Sequence, residues 1–287
     1  MLGVLLVDKP AGRTSHDAVN EIRHRFHTRR VGHAGTLDPL ATGLLVVAIG
    51  PATRFLQYLP LEPKEYIAEI VFGRSTTTFD AEGEVTSEAA VPTDLAAAVD
   101  RVKPRFLGLI RQVPPMYSAV KVGGKALYRY ARAGQEVERE PRNVHIGAFD
   151  VVSMGPDRIT ARIECSGGTY IRTLAHDLGQ DVGSGAYLAN LNRTRVGRFS
   201  LEQATPLDAV SPDRVMPLGN ALDPMPRIDL SDDQVSDVRE GRPIRLDPIP
   251  ASALVALNEP GNGVFSVARV VGNLLQPECV IPIEAMI

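Results

Sequence analysis

The spacing of hydrophobic residues along the chain predicts strands more often than helices. Continuous apolar runs predict buried strands, and strict alternation predicts strands with one buried face. Alternation in the segment Tyr66–Phe72 places Tyr66, Ala68, Ile70 and Phe72 on one face. The predicted strands are Val4–Val7, Gly43–Ala48, Tyr66–Phe72, Val144–Ser153, Arg158–Cys165, Ala186–Leu191 and Val196–Leu201.

Helical spacing occurs in fewer places. Ser15 has the residue type of an N-cap and precedes apolar Ala18, Ile22 and Phe26, so a helix is predicted there. Because strands dominate and do not alternate regularly with helices, the sequence predicts a mixed α+β fold with a largely antiparallel sheet. The other predicted helices are Ala126–Arg132 with a stop at Gly134, a segment within Gly168–Gly179, and a helix capped by Ser231 and closed by Gly241.

The residue composition of the sequence changes after Leu218. Residues Gly219–Pro226 are rich in turn formers, which is typical of a boundary between domains. We therefore predict two domains, residues 1–222 and residues 227–287. The second is too small to carry much chemistry and suits a compact β-rich accessory module.

Composition and cysteine usage indicate a globular protein of a reducing compartment. Hydrophobic residues make up 44% of the chain and charged residues 23%, as in ordinary globular proteins. Cys165 and Cys279 are too few and too far apart for a disulfide framework, so a cytoplasmic location is expected. No apolar run approaches the length of a membrane span. The amino terminus has no basic leader or small-residue cleavage site, so no signal peptide is expected.

Charge is segregated along the chain, although the formal net charge is only −3. Residues 101–142 contain ten Lys or Arg and three Glu, whereas residues 75–100 contain six acidic residues and no Lys or Arg. A shorter basic run, residues 23–30, ends the first predicted helix. Such stretches attract phosphate groups even in a slightly acidic protein. For a charge run taken alone, a solvated face is the commoner explanation.

Signatures of cofactors and metals are missing from the sequence. The chain has neither a P-loop nor a GxGxxG motif, so no nucleotide cofactor is predicted. His24 and His27 have no carboxylate or thiolate placed to complete a zinc site, so no metal is predicted. Cys165 is an alternative thiol nucleophile, but a small buried thiol at the end of a strand is the commoner outcome.

The most unusual stretch is Gly32–Leu45, with the sequence GHAGTLDPLATGLL. It presents His33 and Asp38 on a tight loop that leads into an apolar strand, and catalytic groups are commonly held in this way. Asp38 precedes a proline, which favours an extended backbone. From the residues alone, an Asp before a proline is more often a turn residue, so composition and spacing leave its role open.

Further motifs accompany this stretch in a fixed order. They are DKPAGRTS at residues 8–15, KEY at 64–66, PPMYSAVK at 114–121, GKALYRYARAG at 124–134, CSGGTYIRTL at 165–174 and LNRTRVG at 191–197. Together with GTLDPLATGLL at residues 35–45, they closely resemble the motifs of the TruB family of tRNA pseudouridine synthases. The resemblance is specific because the blocks occur in the family's order over most of the first predicted domain.

The resemblance implies a catalytic set. In the family the Asp of GTLDPLATGLL is the nucleophile, which assigns that role to Asp38. The tyrosine of the KxY segment, here Tyr66, packs on the target base, and the arginine of CSGGTYIRTL, here Arg172, is the partner of the nucleophile. His33 is expected to contact the flipped-out nucleotide, and Tyr170 to form a wall of the pocket.

The resemblance also implies surfaces that hold RNA. Lys9 is expected to support the catalytic loop or to contact phosphates. Residues 122–145 correspond to an RNA-gripping insertion, in which basic residues alternate with Tyr128 and Tyr130. Residues 230–244 are similar to the start of a PUA-like RNA-binding module, so the domain at 227–287 is expected to be PUA-like. The RNA-binding residues expected in the insertion are Lys125, Arg129, Arg132 and Arg142.

The implied activity is the isomerisation of uridine 55 in the T-loop of tRNA to pseudouridine, by a monomer that flips the base and uses no cofactor. Whether Asp38 attacks C6 of the base or C1′ of the sugar stays open. Two alternatives remain at this point. A non-catalytic RNA-binding protein would keep the basic segments without needing Asp38. A small-molecule hydrolase that uses Cys165 would not need the basic segments.

Overall fold

The chain is described by a computed structural model, which covers residues 1–248 and 250–282. The helices are α1 (Ser15–Arg25), α2 (Leu95–Val102), α3 (Leu127–Ala131), α4 (Ile171–Val182), α5 (Leu218–Leu222) and α6 (Asp232–Arg239). Short 3-10 helices lie at Gly50–Tyr58, Lys103–Phe106, Leu201–Gln203, Leu207–Ala209 and Pro212–Arg214. The strands are β1 (Gly3–Lys9), β2 (Val31–Ala34), β3 (Thr42–Ile49), β4 (Lys64–Phe72), β5 (Arg74–Thr76), β6 (Val85–Glu88), β7 (Gly108–Gln112), β8 (Lys121–Val122), β9 (Lys125–Ala126), β10 (Arg142–Met154), β11 (Arg158–Cys165), β12 (Ala186–Val196), β13 (Phe199–Ser200), β14 (Thr205–Pro206), β15 (Arg227–Asp229), β16 (Ile244–Arg245), β17 (Leu254–Glu259), β18 (Gly263–Val271) and β19 (Leu274–Val280).

The chain divides into two compact units. The first comprises residues 1–38 and 44–61 together with the described residues from 201 on, and the second comprises residues 39–43 and 62–200. In the first unit the strand order is β14, β1, β3, with β2 antiparallel beside β3. Helix α1 buries Ala18, Val19 and Ile22 in one core cluster with apolar side chains of β1, β2 and β3. This core holds the elements on either side of the loop that carries Asp38.

The same unit contains a separate sheet near the carboxyl end of the chain. Its strand order is β15, β17, β18, β19, β16. Helix α6 packs on β16 and β19 and begins with a capping box, in which the side chains of Ser231 and Gln234 accept each other's backbone N–H. The predicted helix between Ser231 and Gly241 is thus confirmed.

The second unit is built on an antiparallel series of strands in the order β12, β4, β11, β10, β7. Helix α4 packs on β12 and β4, and α2 packs on α4. Thr42 and Gly43, at the start of β3, pair in parallel with Asn192 and Arg193 of β12. In β4 the predicted face of Tyr66, Ala68, Ile70 and Phe72 is buried as expected from its alternation.

The region around β12 differs from the prediction. The predicted strand Ala186–Leu191 is present, but it is part of a longer strand, β12, which continues through the polar residues Asn192 to Arg195. These residues pair with β4, and the register shifts twice along the strand. The bulges and the pairing with β4 explain why a polar segment stays in the sheet. Of the predicted strand Val196–Leu201, Val196 ends β12, and Phe199–Ser200 form β13, which folds back onto the end of β12.

Two helix ends also differ from the sequence pattern. The N-cap of α1 is Thr14 rather than Ser15, because Thr14 and Asp17 form a reciprocal capping box. Ser15 is the first helical residue and is buried. Helix α4 continues past Gly179 and ends at Val182, where Gly183 adopts a left-handed conformation with φ of 87°.

The predicted fold class is confirmed: the chain is a mixed α+β protein with a largely antiparallel sheet and a small β-rich part near its carboxyl end. The boundary predicted between residues 222 and 227 stays a prediction. Among the described residues, no helix combines the length and the apolar composition needed to cross a membrane.

Candidate active site

The loop that carries Asp38 follows β2 in the first unit. Its neighbour Leu37 is 3% exposed and is fixed to the start of α1 by Ser15. The Ser15 Oγ accepts the Leu37 N–H at 2.8 Å and donates to the Leu37 carbonyl at 3.1 Å. This pair of bonds sets the backbone direction at Asp38, whose side chain is half-buried.

The segment after Asp38 is fixed within the second unit. Thr42 Oγ1 donates to the carbonyl of Leu191 at 3.4 Å. Gly43 has φ of 97°, and a Cβ atom there would collide with the Asn192 Oδ1 and the Arg193 backbone. A glycine is therefore required at this position on two grounds, the left-handed backbone and the close approach of β12.

His33 lies in β2, where it pairs with Val47 of β3. Its side chain is half-buried. A position in a paired strand leaves less backbone freedom than the loop position expected from the sequence. The contact with a flipped-out nucleotide stays a prediction for this residue.

Tyr66 lies near the start of β4, between two antiparallel neighbours. It pairs with Ile163 of β11 and with Arg193 of β12. Tyr66 is 7% exposed and Arg193 is 1% exposed. The aromatic ring therefore stands on a rigid, nearly buried part of the sheet, as a group that orients a base requires.

Arg172 is the second residue of α4, and its side chain is 5% exposed. Its Nη2 donates to the carbonyl of Tyr117 at 2.8 Å. Its Nη1 lies 3.5 Å from the Oδ2 of Asp80, whose side chain is 3% exposed. A planar guanidinium keeps its charge when it is buried and can serve several acceptors at fixed angles. Arg172 is thus a buried cation with fixed partners, although it lies in the first turn of a helix.

Tyr170 is the N-cap of α4 and is held by Gln112, the last residue of β7. The Gln112 side chain accepts the Tyr170 N–H at 2.7 Å and donates to the Tyr170 carbonyl at 3.0 Å. Gln112 is itself 2% exposed. The two bonds fix the start of the helix and so also fix the direction in which Arg172 leaves it.

Asp80 was missed by the sequence interpretation, which only counted it among the six acidic residues of the segment 75–100. Its Oδ1 accepts hydrogen bonds from Thr78 Oγ1 and, at 3.1 Å, from the N–H of Glu82. Its loop is attached to β12 through Leu188, which donates to the Phe79 carbonyl and accepts from the Ala81 N–H, both at 3.0 Å. The only local signal is an Asp among threonines before Gly83, which resembles an ordinary turn.

The residue before Asp80 adds a second connection to α4. Phe79 has φ of 65°, an uncommon value for a residue with a side chain. Its ring stacks on His176, one helical turn after Arg172, with centroids 3.9 Å apart and planes at 17°. Burial lowers the pKa of His176, which favours the neutral ring in this stack.

Lys9 is fully buried in β1. Its Nζ donates to the carbonyls of Pro10 at 2.8 Å and Arg13 at 2.6 Å. These bonds support the turn that leads into α1. The contact with RNA phosphates stays a prediction for Lys9.

The insertion predicted to hold RNA forms a small hairpin of β8 and β9, followed by α3. Lys125 lies 4.2 Å from the centre of the Tyr130 ring. Arg129 and Arg132 approach the Tyr128 ring at 6.0 and 5.5 Å. Arg142 is exposed and begins β10. The alternation of basic and aromatic residues therefore places Lys125, which is half-buried, and the exposed Arg129 and Arg132 against tyrosine rings.

Cys165 does not have the properties of a nucleophile. It is 2% exposed, and burial raises the pKa of its thiol to about 11. A thiol with such a pKa has almost no thiolate near neutral pH. Within residues 1–248 and 250–282, no group of three or more His, Cys, Asp or Glu side chains is arranged to hold a metal ion.

Comparisons with known proteins agree with the motifs. Residues 23–171 match the family described as TruB family pseudouridylate synthase (N terminal domain), and residues 172–224 match the tRNA pseudouridylate synthase B C-terminal domain. The chain belongs to the TruB family of pseudouridylate synthases. It is therefore an enzyme of the isomerase class, and neither the hydrolase nor the non-catalytic alternative holds.

Individual members of the TruB family match most of the chain. A protein of Thermobifida fusca (strain YX) named tRNA pseudouridine synthase B is 47% identical over 277 residues, which cover 93% of this chain and 94% of that one. A protein of Opitutus terrae (strain DSM 11246 / JCM 15787 / PB90-1) with the same name is 49% identical over 208 residues, or 72% of this chain and 86% of that one.

A solved structure supports the same fold. The crystal structure of a Cbf5-Nop10-Gar1 complex contains a chain similar to this one with a TM-score of 0.71 and 26% identity. The similarity covers 99% of this chain and 86% of that chain. The predicted pseudouridine synthase type of the fold is thus confirmed.

Proposed function

We propose that this enzyme converts uridine 55 in the T-loop of tRNA to pseudouridine, with Asp38 as the nucleophile and without a cofactor. The tRNA substrate is supported by the relatives named tRNA pseudouridine synthase B. The structural observation that carries the proposal is the buried, multiply bonded guanidinium of Arg172. A buried cation in such fixed surroundings suits a reaction that depends on a negatively charged group.

The reaction exchanges one glycosidic bond for another. The N1–C1′ bond breaks, the uracil rotates, a C5–C1′ bond forms, and the proton on C5 leaves while N1 gains one. Substrate and product have the same atoms and oxidation state, so the chemistry calls for no external oxidant, reductant or group donor. It does call for a nucleophile, and an ionised carboxylate can serve in covalent catalysis.

Asp38 has the role of nucleophile in this proposal, at either C6 of the base or C1′ of the sugar. A carboxylate that loses water on substrate binding tends to take up a proton, and a nearby cation opposes that tendency. Arg172 supplies the cation. Asp80 and the Tyr117 carbonyl limit the orientations of the guanidinium and act as positioning groups.

Base orientation is the role proposed for Tyr66. In this proposal its ring offers an apolar face for stacking the uracil, and its hydroxyl assists removal of the C5 proton. His33 and Tyr170 contact the everted nucleotide. A uridine stacked in folded RNA is beyond the reach of side chains, and extruding it costs a few kcal/mol.

The cost of extrusion is offset by contacts outside the catalytic residues. RNA-binding proteins gain free energy from stacking on exposed bases and from contacts with phosphates. We assign this role to Lys125, Arg129, Arg132 and Arg142, together with Tyr128 and Tyr130. The domain at residues 227–287 is the second RNA-binding part of the proposal.

The decisive experiment is the variant Asp38→Asn, assayed on unmodified tRNA that carries tritium on uracil C5. Release of tritium measures isomerisation, and filter binding measures affinity. We expect loss of release with tRNA binding nearly unchanged, because the amide keeps the shape of the carboxylate but is not a nucleophile. Sequencing of the wild-type product tests whether position 55 is modified.

Asp100→Asn is the matched control, since Asp100 is an exposed carboxylate that pairs with Lys103 at 3.5 Å. It should release tritium at the wild-type rate. Substantial release by Asp38→Asn would remove Asp38 from the mechanism. Modification at another position, with none at 55, would overturn the assignment of the target.

A further inference from the structure

The basic turn, defined as residues 23–30, has no role in the function proposed above. It comprises the end of the last turn of α1 and the residues that lead directly into β2. His27 adopts a left-handed conformation with φ of 48°, which reverses the chain between the helix and the strand. The turn belongs to the first unit together with His33 and Asp38.

The backbone of the basic turn is held in one shape. Phe26 packs against the core cluster of α1 and the strands. The Thr28 N–H donates to the Arg23 carbonyl at 3.1 Å, and the Gly50 N–H donates to the Arg30 carbonyl at 2.7 Å. The Arg23 guanidinium donates to the Val31 carbonyl at 3.1 Å. These contacts fix the base of the turn, so its exposed side chains start from defined positions.

The cations of the basic turn fall into two groups. Arg23 and Arg25 are used within the protein, and Arg25 pairs with Glu21 at 2.7 Å. Arg29 and Arg30 are exposed. Within residues 1–248 and 250–282, neither of their guanidinium groups has a hydrogen bond or an ion pair. Two adjacent guanidinium groups on a fixed backbone, without carboxylate partners, are a suitable surface for phosphate oxygens.

The position of these two arginines relates them to the substrate. Arg30 precedes the first residue of β2, and His33 lies three residues further along. At the rise of a strand this separation is roughly 10 Å along the backbone. A nucleotide held at His33 therefore has its neighbouring phosphates within the combined reach of long arginine side chains.

We propose that Arg29 and Arg30 form a phosphate-binding surface for the RNA backbone that adjoins the flipped-out nucleotide. The inference rests on the proposed function, because it takes the substrate to be an RNA held at His33. The basic turn binds the strand by charge, without reading its sequence. It contributes to affinity and leaves the chemical step unchanged.

The test is the double variant Arg29→Gln/Arg30→Gln, with affinity for unmodified tRNA measured over a range of salt concentrations. Loss of two phosphate contacts lowers the steepness of log Kd against log salt by about 1.4 to 1.8. We expect the Kd to rise about tenfold at low salt. The single-turnover rate at saturating enzyme should stay within about twofold of wild type, since uniform binding affects KM rather than kcat.

Two further variants make the result specific. Arg158→Gln/Arg214→Gln removes the same charge from arginines that are paired with Asp157 and Asp213, and it should leave the salt dependence unchanged. Arg29→Lys/Arg30→Lys keeps the charge and should retain most of the affinity. Single variants at Arg29 and Arg30 decide the question if the double variant does not fold.

The outcomes separate this inference from the proposed function. Wild-type enzyme that forms no pseudouridine in tRNA would overturn the proposed function. Active wild-type enzyme with an unchanged Kd and salt dependence in the double variant would overturn the phosphate-binding surface alone. An equal loss of affinity in Arg158→Gln/Arg214→Gln would also overturn it, because the effect would then reflect overall charge.

Discussion

The second unit contains two groups of cations that are built in opposite ways. Arg172 is 5% exposed, and its guanidinium is fixed by Asp80 and the Tyr117 carbonyl. In the insertion, Lys125, Arg129 and Arg132 rest on the faces of two tyrosine rings near the surface. Buried charge is costly unless its partners are exact in geometry, whereas exposed charge is inexpensive and adaptable.

The difference between the two groups corresponds to two tasks. A charge that stabilises a reacting group has to be in place before the reaction and has to be shielded from water. A charge that holds RNA has to follow a flexible phosphate backbone and to release it afterwards. We therefore expect substitutions near Arg172 to lower kcat and substitutions in the insertion to raise KM.

The largest effect is expected for Arg172→Lys. Lysine keeps the positive charge but has no planar fork, so it cannot keep the contacts with both Asp80 and the Tyr117 carbonyl. We expect kcat to fall by about 10² to 10³-fold with little change in KM, measured by tritium release. Asp80→Asn should lower kcat by a smaller factor, about 10 to 100-fold, because it acts through Arg172.

The control for Arg172→Lys is Arg105→Lys, which changes an exposed arginine that pairs with Asp181 of the same helix at 2.9 Å. Exposed ion pairs contribute little, so its kcat should stay within about twofold of wild type. A normal kcat for Arg172→Lys would show that charge alone suffices at this position, and the contrast between the two groups of cations would lose its basis.

Substitutions in the insertion should raise KM for tRNA. Tyr128→Leu removes the ring that Arg129 and Arg132 approach and that is available for stacking on a base. We expect KM for tRNA to rise about three- to tenfold with kcat unchanged. Tyr128→Phe keeps the ring and serves as the control. A fall in kcat without a change in KM would assign the ring to the reaction instead of to RNA binding.

How much of this contrast could be predicted from the sequence depends on how far apart along the chain the residues that form each feature lie. In the insertion, the alternation of basic and aromatic residues within a few positions is visible in the local sequence, whereas its assignment to RNA binding comes from the resemblance to the TruB family. The strand β4 was also predicted from a local pattern, since apolar residues occupy every second position from Tyr66 to Phe72. Local patterns of this kind need no knowledge of the rest of the fold.

The partners of Arg172 could not be predicted in this way. Asp80 and Gln112 gain their roles only when the chain brings a loop and a strand end to the start of α4. Ser15 shows the same limit, because it has the local properties of a cap but is bonded to Leu37. A single sequence encodes such contacts through packing over long separations, and no local pattern reveals them.

Helix α4 also carries a residue, Asp177, that is expected to affect the stability of the protein without affecting the reaction. Burial, with a smaller contribution from Asp181, raises the pKa of Asp177 to about 6 from 3.8. The protonated form is thus favoured in the folded state. Its contribution to stability is complete below about pH 4 and is lost as the pH rises through 6.

Asp177→Asn should therefore raise the melting temperature at pH 8 but not near pH 4. Because Asp177 is only partly buried, solvent screens its charge, and the expected rise in melting temperature is only about 2 to 4 °C. Calorimetry at the two pH values measures it, and kcat should stay unchanged at both. Asp181→Asn should show only a minor part of the gain, since burial is the larger cause. A gain that is independent of pH would contradict the assignment to ionisation.

Of the two residues considered as nucleophiles, Asp38 and Cys165, the smaller effect on activity is expected for Cys165→Ser. The thiol is 2% exposed at the end of β11, and its pKa of about 11 keeps it protonated at neutral pH. Neither property suits a reactive group, so kcat and KM should both stay close to wild type. A decrease of a few degrees in the melting temperature is expected, because a hydroxyl is costlier to bury than a thiol. Cys165→Ala separates that cost from the loss of the thiol. A folded but inactive Cys165→Ala variant would show that an uncharged, solvent-inaccessible residue takes part in catalysis. It would contradict the assignment of the reaction to Asp38 and the buried Arg172.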